Sequence, residues 1–471
     1  MKRGLALLLA VVMAAGIFLA GCGNKNENQS VQSTAAQSNA AQSNAAQSEQ
    51  SSKTDNSNAN VTVTPQLIGD KNAKTEITWQ PVPAHSMMDS NQAKVEYLTK
   101  KAKEWAEKHP DVKIVPIQTT IAISDSMAKI LVQAASGQAP DIAAIDSYIF
   151  PNFTKYAQPI DDIVQEKNLD INDWFPFAQK VMKPEDKILG LWYTTDVRAL
   201  FYRKDIVKNP PKTWQELLDL GKQLKGQGYD AFLYSAGRDE NVTMNTLPYF
   251  FGQGGKLVDD NGTPVFGEGE NRAAMINYIN FLKSTVDTGV TPTRVLNFKS
   301  DPNMNADLAA GKVAMFVGVS NMAAQLRSVI ADKFDELWDV APIPMAEADQ
   351  RASTAGGWVS TVFTEDDQKR KLAADFIIDM YVNDQGMEGW CSAGGYLPPR
   401  KSVFEKAEFL KSDPFAQKFK EELQFAYVRP AANIYPTISQ EIQIAINNVL
   451  AGQTTPEKAV DNAWKIVTSK K

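Results

Sequence analysis

Carboxylates and aromatic rings fall together at three places in this chain: Asp146 with Tyr148, Trp192 and Tyr193 with Asp196, and Trp358 directly behind Gly356 and Gly357. A neutral, hydroxyl-rich ligand presents hydroxyl groups along its edges and weakly polar C–H faces. Carboxylate, amide and guanidinium groups satisfy the edges, and flat rings cover the faces. Arg198 stands two residues beyond Asp196 and either bridges ligand hydroxyls or pairs with that carboxylate. Gly356 and Gly357 allow the backbone a close approach to a ligand, with Trp358 stacking on it; the alternative is a core role for Trp358. Position alone adds Ser235, Arg238 and Asp239 after the apolar run Ala231–Tyr234, Asn321 after Gly318, and Arg429 with Tyr435 ahead of a late helical stretch.

Other chemistries find little support. The two cysteines are Cys22 and Cys391, and the two histidines are His85 and His109. With Cys22 modified, Cys391 is alone, which excludes an intramolecular disulfide and a thiolate metal cluster. His109 stands at a helix end, where its expected part is that of a C-terminal cation. Neither histidine carries the motif of a nucleophile–base pair, so no catalytic residue, metal or cofactor is expected. Gly252-Gln253-Gly254-Gly255 lacks the Gly-Lys-Ser/Thr of a phosphate loop. Asp259-Asp260-Asn261-Gly262 lacks the later ligands of a calcium loop and reads as a tight turn.

Strands and helices alternate around the candidates. Lys74–Val82, Val112–Gln118 and Pro140–Asp146 read as strands. Asn91–Glu107 reads as a helix with Val95, Leu98, Ala102 and Trp105 at helical spacing, and Ser124–Ala135 as another. This order predicts a largely parallel sheet wrapped by helices, with its ligand crevice beyond the strands' carboxyl ends. Asp146 and Tyr148 fall at such an end. Residues 190–205 place polar and aromatic groups ahead of an extended apolar run. Thr213 and Glu216 then have the spacing of a capping box, opening a helix that runs to about Lys225. Strands over Lys312–Val317 and Trp338–Ile343 flank a helix over Asn321–Ile330, and helices at 437–450 and 455–467 close the chain.

The beginning of the chain carries a different signal. Lys2 and Arg3 precede an apolar run from Leu5 to Leu19, which matches an export signal. Leu19-Ala20-Gly21-Cys22 has the form of a lipobox, with cleavage before Cys22 and lipid, including palmitate, on the cysteine. Several buried acyl chains anchor firmly where one does not. Residues 23 to about 72 are rich in Asn, Gln, Ser, Ala and Thr, with Ala-Ala-Gln-Ser-Asn at 35–39 repeated at 40–44. Such a stretch cannot bury enough surface to order itself. As a coil of ~40–50 residues it would reach roughly 35–40 Å. The formal charge is −6, and losing residues 1–21 leaves −8, which argues against nucleic acid as a partner. About 400 residues of ordinary composition remain, more than one core usually serves.

Seven segments in order carry a resemblance: 137–142 (GQAPDI), 194–202 (TTDVRALFY), 211–214 (PKTW), 311–315 (GKVAM), 342–344 (PIP), 356–358 (GGW) and 395–400 (GYLPPR). The chain resembles the family 1 extracellular solute-binding proteins, a group that includes maltodextrin- and other sugar-binding lipoproteins. The resemblance runs over nearly all of residues 75–471. It implies an α/β, two-lobed periplasmic-binding-protein-like fold of type II, with the ligand cleft between the lobes. By the same resemblance the parts are a signal peptide at 1–21, a lipidated cysteine and tether at 22–72, an N-lobe of 73–195 with 346–395, and a C-lobe of 196–345 with 396–471. The crossings are expected near Thr195–Arg198, Pro344 and Gly395. Asp196 occupies the position of an acid that points into the cleft. Trp192 stands where family members often have proline, so it is expected to face the cleft.

The implied function is capture of a carbohydrate and its delivery to the transmembrane subunits of an ABC permease. The chain would be a monomer without enzymatic activity, lipid-anchored at the outer face of the cell membrane, as on a Gram-positive surface. Two other readings stand beside it. One is a surface carbohydrate hydrolase using Asp146 and Asp196, and the other is a ligand-sensing module of a signalling system.

Overall fold

The computed structural model describes residues 67–117, 123–330 and 333–470. The export signal, Cys22 and nearly all of the tether lie outside them. Among the described residues nine strands make up the sheets: β1 (Thr75–Gln80), β2 (Val112–Pro116), β3 (Ile142–Asp146), β4 (Leu191–Arg203), β5 (Asp230–Leu233), β6 (Val313–Val319), β7 (Trp338–Ala341), β8 (Ser353–Val362) and β9 (Ala426–Val428). They run in the order β2-β1-β3-β8-β4-β6-β5, with β7 added to β4 and β9 to β8.

β4 is the strand that both halves share. Its first half, Leu191–Val197, pairs antiparallel with β8, while Arg198–Tyr202 pairs with β6 and Leu200–Arg203 with β7. Its hydrogen-bonding partners thus change between Val197 and Arg198, within the segment where a crossing is expected. β1 pairs parallel with β2 and β3, and β5 parallel with β6, but every pairing of β4 and that of β3 with β8 is antiparallel. The sheets are therefore mixed rather than largely parallel.

Two hydrophobic cores sit on either side of this change. One gathers Ile77, Leu98, Trp105, Ile142, Leu191, Val359, Phe376 and Trp390. The other gathers Phe201, Leu217, Phe232, Phe250, Tyr278, Phe316, Ile442 and Val460. Tyr148 follows β3 in sequence but packs into the second core. Local capping follows the sequence. Asn91 caps the helix Gln92–Lys108 by accepting from the Ala93 and Lys94 amides, and Thr213 with Glu216 completes the capping box of Trp214–Gly226. At the other end of Gln92–Lys108, His109 stacks on Trp105 with ring centroids 3.9 Å apart.

β8 was not legible as a strand because Gly356-Gly357 interrupts its apolar pattern. Packing by itself requires a glycine at 357. A Cβ on this residue would lie 1.9 Å from Trp192 Nε1 and 2.2 Å from the Thr194 carbonyl oxygen. Trp192 is fully buried, and its indole donates to Thr194 O at 2.5 Å where the β4–β8 register shifts. Replacing Gly357 with alanine is expected to destabilise the protein by about 1–3 kcal/mol, the range for overpacking a filled interior. Thermal melting would read this as a lower midpoint, and an unchanged midpoint would show that Trp192 yields freely.

Candidate functional site

Between the two cores lies a cavity of about 510 Å³ lined by Asp146, Tyr148, Asp196, Arg198, Arg238, Gly357, Trp358 and Arg429 among others. These eight residues come from regions of the sequence far apart. Asp146 ends β3 and stands opposite Trp358 in the β3–β8 ladder, while Asp196 stands opposite Gly356 in the β4–β8 ladder. Pairing of three strands thus sets two carboxylates and a tryptophan on one floor.

Arg429, just past β9, holds that floor together. Its Nη2 donates to Asp146 Oδ1 at 2.6 Å and its Nη1 to Glu240 Oε1 at 3.2 Å. The guanidinium carbon lies 4.4 Å from the centroid of the Tyr148 ring, and Tyr148 meets Tyr435 edge to face at 5.6 Å. Glu240 also accepts from Tyr435 Oη at 2.7 Å and from Ser439 Oγ. Burial raises the Asp146 pKa, and Arg429 opposes that shift. Burial disfavours the Arg429 charge, but Asp146 and Glu240 hold its pKa above the usual guanidinium value.

A second pair lies beside it. Arg198 binds Asp196 through Nη1 and Asn245 Oδ1 through Nε at 3.3 Å, and Asp196 Oδ1 accepts from the Gly356 amide at 3.2 Å. Of the two readings of Arg198, the structure shows the pairing. Behind this layer the buried Asp301 accepts from Ser235 Oγ at 3.1 Å, Asn241 Nδ2 at 2.5 Å, Asn245 Nδ2 at 2.6 Å and the Val319 amide at 2.9 Å. One carboxylate so satisfied fixes the amides next to the cavity. Arg238 is at the exposed rim, donating to Asn447 Oδ1 at 3.1 Å and Asn448 Oδ1 at 2.6 Å.

Four expectations are corrected. Trp192 does not face the cleft. Its ring meets Phe177 at 5.4 Å in the core, because the space it fills is the one Gly357 leaves open. Tyr193 is 1 % exposed and its hydroxyl lies 2.7 Å from His85 Nδ1, since alternate residues of a strand point to opposite faces and both faces here are covered. Asn321 does not line the cavity. It precedes the helix Met322–Ile330, and neighbouring Ser320 belongs to a separate cavity of about 310 Å³ with Arg327 and Tyr396. Ser235 is buried behind the site, on Asp301.

Sequence reasoning missed Glu240, Asn241, Met244, Ser300, Gln440 and Gln443 on the wall. Glu240 opens a helix capped by Asp239, the next element after β5, and that strand-to-helix position was the available signal. Gln440 and Gln443 are three apart on Tyr435–Leu450, hence on one helical face. His85 was also missed as a support. Its ring meets Tyr193, Trp358, Trp390 and Tyr396 edge-on at 5.1–5.6 Å, so it braces the tryptophan of the cavity.

Two cores, a shared strand and a polar, ring-lined gap between them define a two-lobed binding protein. The profile of bacterial extracellular solute-binding proteins matches residues 100–418, and this chain belongs to that family. The arabinooligosaccharide-binding protein of Halalkalibacterium halodurans is 24% identical over 77% of this chain and 84% of its own length. Among solved structures, maltose-bound MalE3 of T. maritima has a TM-score of 0.72 at 21% identity, covering 84% of this chain and all of that one. The GacH receptor of Streptomyces glaucescens, solved unliganded and with acarbose, has a TM-score of 0.70 at 24% identity, covering 83% of this chain and 96% of that one. These likenesses establish the fold as the two-lobed α/β architecture.

Burial, and secondarily the Lys94 charge, lowers the His85 pKa well below the ordinary 6.5. The unfolded chain therefore takes up this proton first, so the stability contributed by neutral His85 is complete above about pH 6.5 and is lost as the pH falls below it. The melting temperature of the wild type should drop more steeply between about pH 7 and about pH 5 than that of His85→Gln. Parallel pH profiles for the two proteins would show that His85 is not held neutral.

Proposed function

We propose that this chain captures a sugar or short oligosaccharide outside the membrane and delivers it to an ABC permease. The observation that carries the reading is the composition of the cavity wall. Trp358 and Tyr148 supply rings, while Asp146, Asp196, Asp239, Asn241, Gln440 and Gln443 supply acceptors and donors at the density a polyol requires. The names of the similar proteins, which bind arabinooligosaccharides, maltose and acarbose, point the same way. In this reading the lobes are 73–195 with 346–395 and 196–345 with 396–471. They rock about the middle of β4 and close because only the closed form lets both walls touch the ligand.

Hydrolysis is disfavoured by the site itself. Asp146 and Asp196, the two carboxylates a glycosidase would need, are each engaged by a guanidinium, whereas a general acid and a nucleophile need acid groups free to exchange protons or attack. Cys22 is proposed to carry the lipid that keeps the protein at the outer face of the cytoplasmic membrane. Among the described residues no helix is long and apolar enough to cross a membrane.

Calorimetry with maltose, arabinobiose and xylobiose should give a dissociation constant near the micromolar range, about −8 kcal/mol, for at least one. Trp358→Ala should weaken that sugar by roughly tenfold, the scale of one aromatic platform. Heat-silent titrations across all three, or recovery of cleaved sugar, would sink the proposal. For the anchor, Cys22→Ala should abolish palmitate labelling and move the protein from the membrane pellet to the medium; retained labelling would place the lipid elsewhere or remove it from the account.

A further inference from the structure

Charge in the cleft is arranged asymmetrically between its buried and exposed parts. Four carboxylates line it, Asp146, Asp196, Asp239 and Glu240, against three guanidiniums, Arg198, Arg238 and Arg429. The two buried guanidiniums are already ion-paired, although the buried Arg429 Nε has no hydrogen-bond partner. Arg198 is bound to Asp196 and Asn245. Arg429 is clamped between two carboxylates, Asp146 at 2.6 Å and Glu240 at 3.2 Å, so the three-residue group holds two acids to one base and its formal charge is negative. Only Arg238 lacks a carboxylate partner, and it is exposed at the rim, where solvent screens it.

The Arg429 pair alone needs only one acid. Glu240 is the second, and it is held in place by Tyr435 Oη at 2.7 Å and by Ser439 Oγ, with Tyr148 under the guanidinium. Such a network costs desolvation energy that a neutral ligand does not demand. Its selective consequence falls on charged ligands. A carboxylate or phosphate entering the floor would find no buried cation free and an excess acid beside it, which is the repulsive element that specificity requires.

Building on the sugar reading, we propose that Glu240 is a specificity-determining residue that makes the cleft reject acidic saccharides, such as uronates and sugar phosphates, in favour of neutral ones. It acts by neutralising Arg429 a second time, leaving Asp146 in net excess. Without its charge, the Asp146–Arg429 pair is neutral and the floor repels an anion less, with Asp239 the cleft carboxylate still lacking a guanidinium.

The test is a calorimetric comparison of maltose and xylobiose with digalacturonate on the full chain. The wild type should bind a neutral disaccharide and leave digalacturonate at least about tenfold weaker, a discrimination of the size that one uncompensated like charge produces. Glu240→Gln, which can still accept from Arg429 and Tyr435, should shrink that ratio by roughly tenfold, and Glu240→Asp should restore it. Glu365→Gln, which removes an exposed acid that does not line the cavity, should leave the ratio unchanged. A wild type that binds digalacturonate as tightly as the neutral sugars overturns this inference and leaves the sugar reading intact. A ratio that moves as much with Glu365→Gln as with Glu240→Gln also overturns it. Binding of neither class overturns both. Should Glu240→Gln fail to fold in a thermal melt, the wild-type ratio alone decides.

Discussion

A strand has two edges for hydrogen bonding, and β4 gives its edges to different sheets along its length. From Leu191 to Val197 it is bonded to β8; from Arg198 onward it is bonded to β6 and β7. At that change the side chains alternate, with Val197 buried in the second core and its two neighbours lining the gap between the cores. Asp196 and Arg198 stand there, and the antiparallel ladder with β8 brings Gly356 and Trp358 beside them. The floor of the cleft is therefore a by-product of strand pairing, and any shift of the β4–β8 register would move each of its groups together.

That register depends on close packing in one core. Trp192 occupies the space that a side chain on residue 357 would need, and its indole N–H closes on the Thr194 carbonyl at the bulge. Interiors at crystal-like density transmit such constraints rather than absorb them. On the other face of β4, Tyr193 is bonded to His85, whose ring presses on Trp358. A neutral imidazole buried among four rings thus links the strand to the platform of the cavity. The polar floor is fixed by a second device, full hydrogen-bond satisfaction, through Asp301 beneath the amides and Arg429 between Asp146 and Glu240.

Much of this was readable from local pattern. The helix Gln92–Lys108 announced itself through Val95, Leu98, Ala102 and Trp105, and the capping box at Thr213 placed the start of another. Asp146 and Tyr148 were found because they end a strand. Trp192 was misplaced because a tryptophan beside an acid looks alike in sequence whether it faces a ligand or a core. β8 went unread because two glycines break the alternation from which strands are recognised, although tertiary packing makes one of them necessary.

The sequence by itself determined the two-core scale of the chain, the positions of most helices and strands, and the identity of ten of the residues that line the cavity, because periodicity, caps and strand ends are local properties. Only the tertiary structure decided which face of β4 each ring took, that Arg198 and Arg429 are spent on carboxylates, and that Glu240 stands beside Asp146. Those facts depend on which distant segments pair with β4 and β8, and pairing is fixed by long-range packing and buried charge, neither of which leaves a mark within a single stretch of sequence.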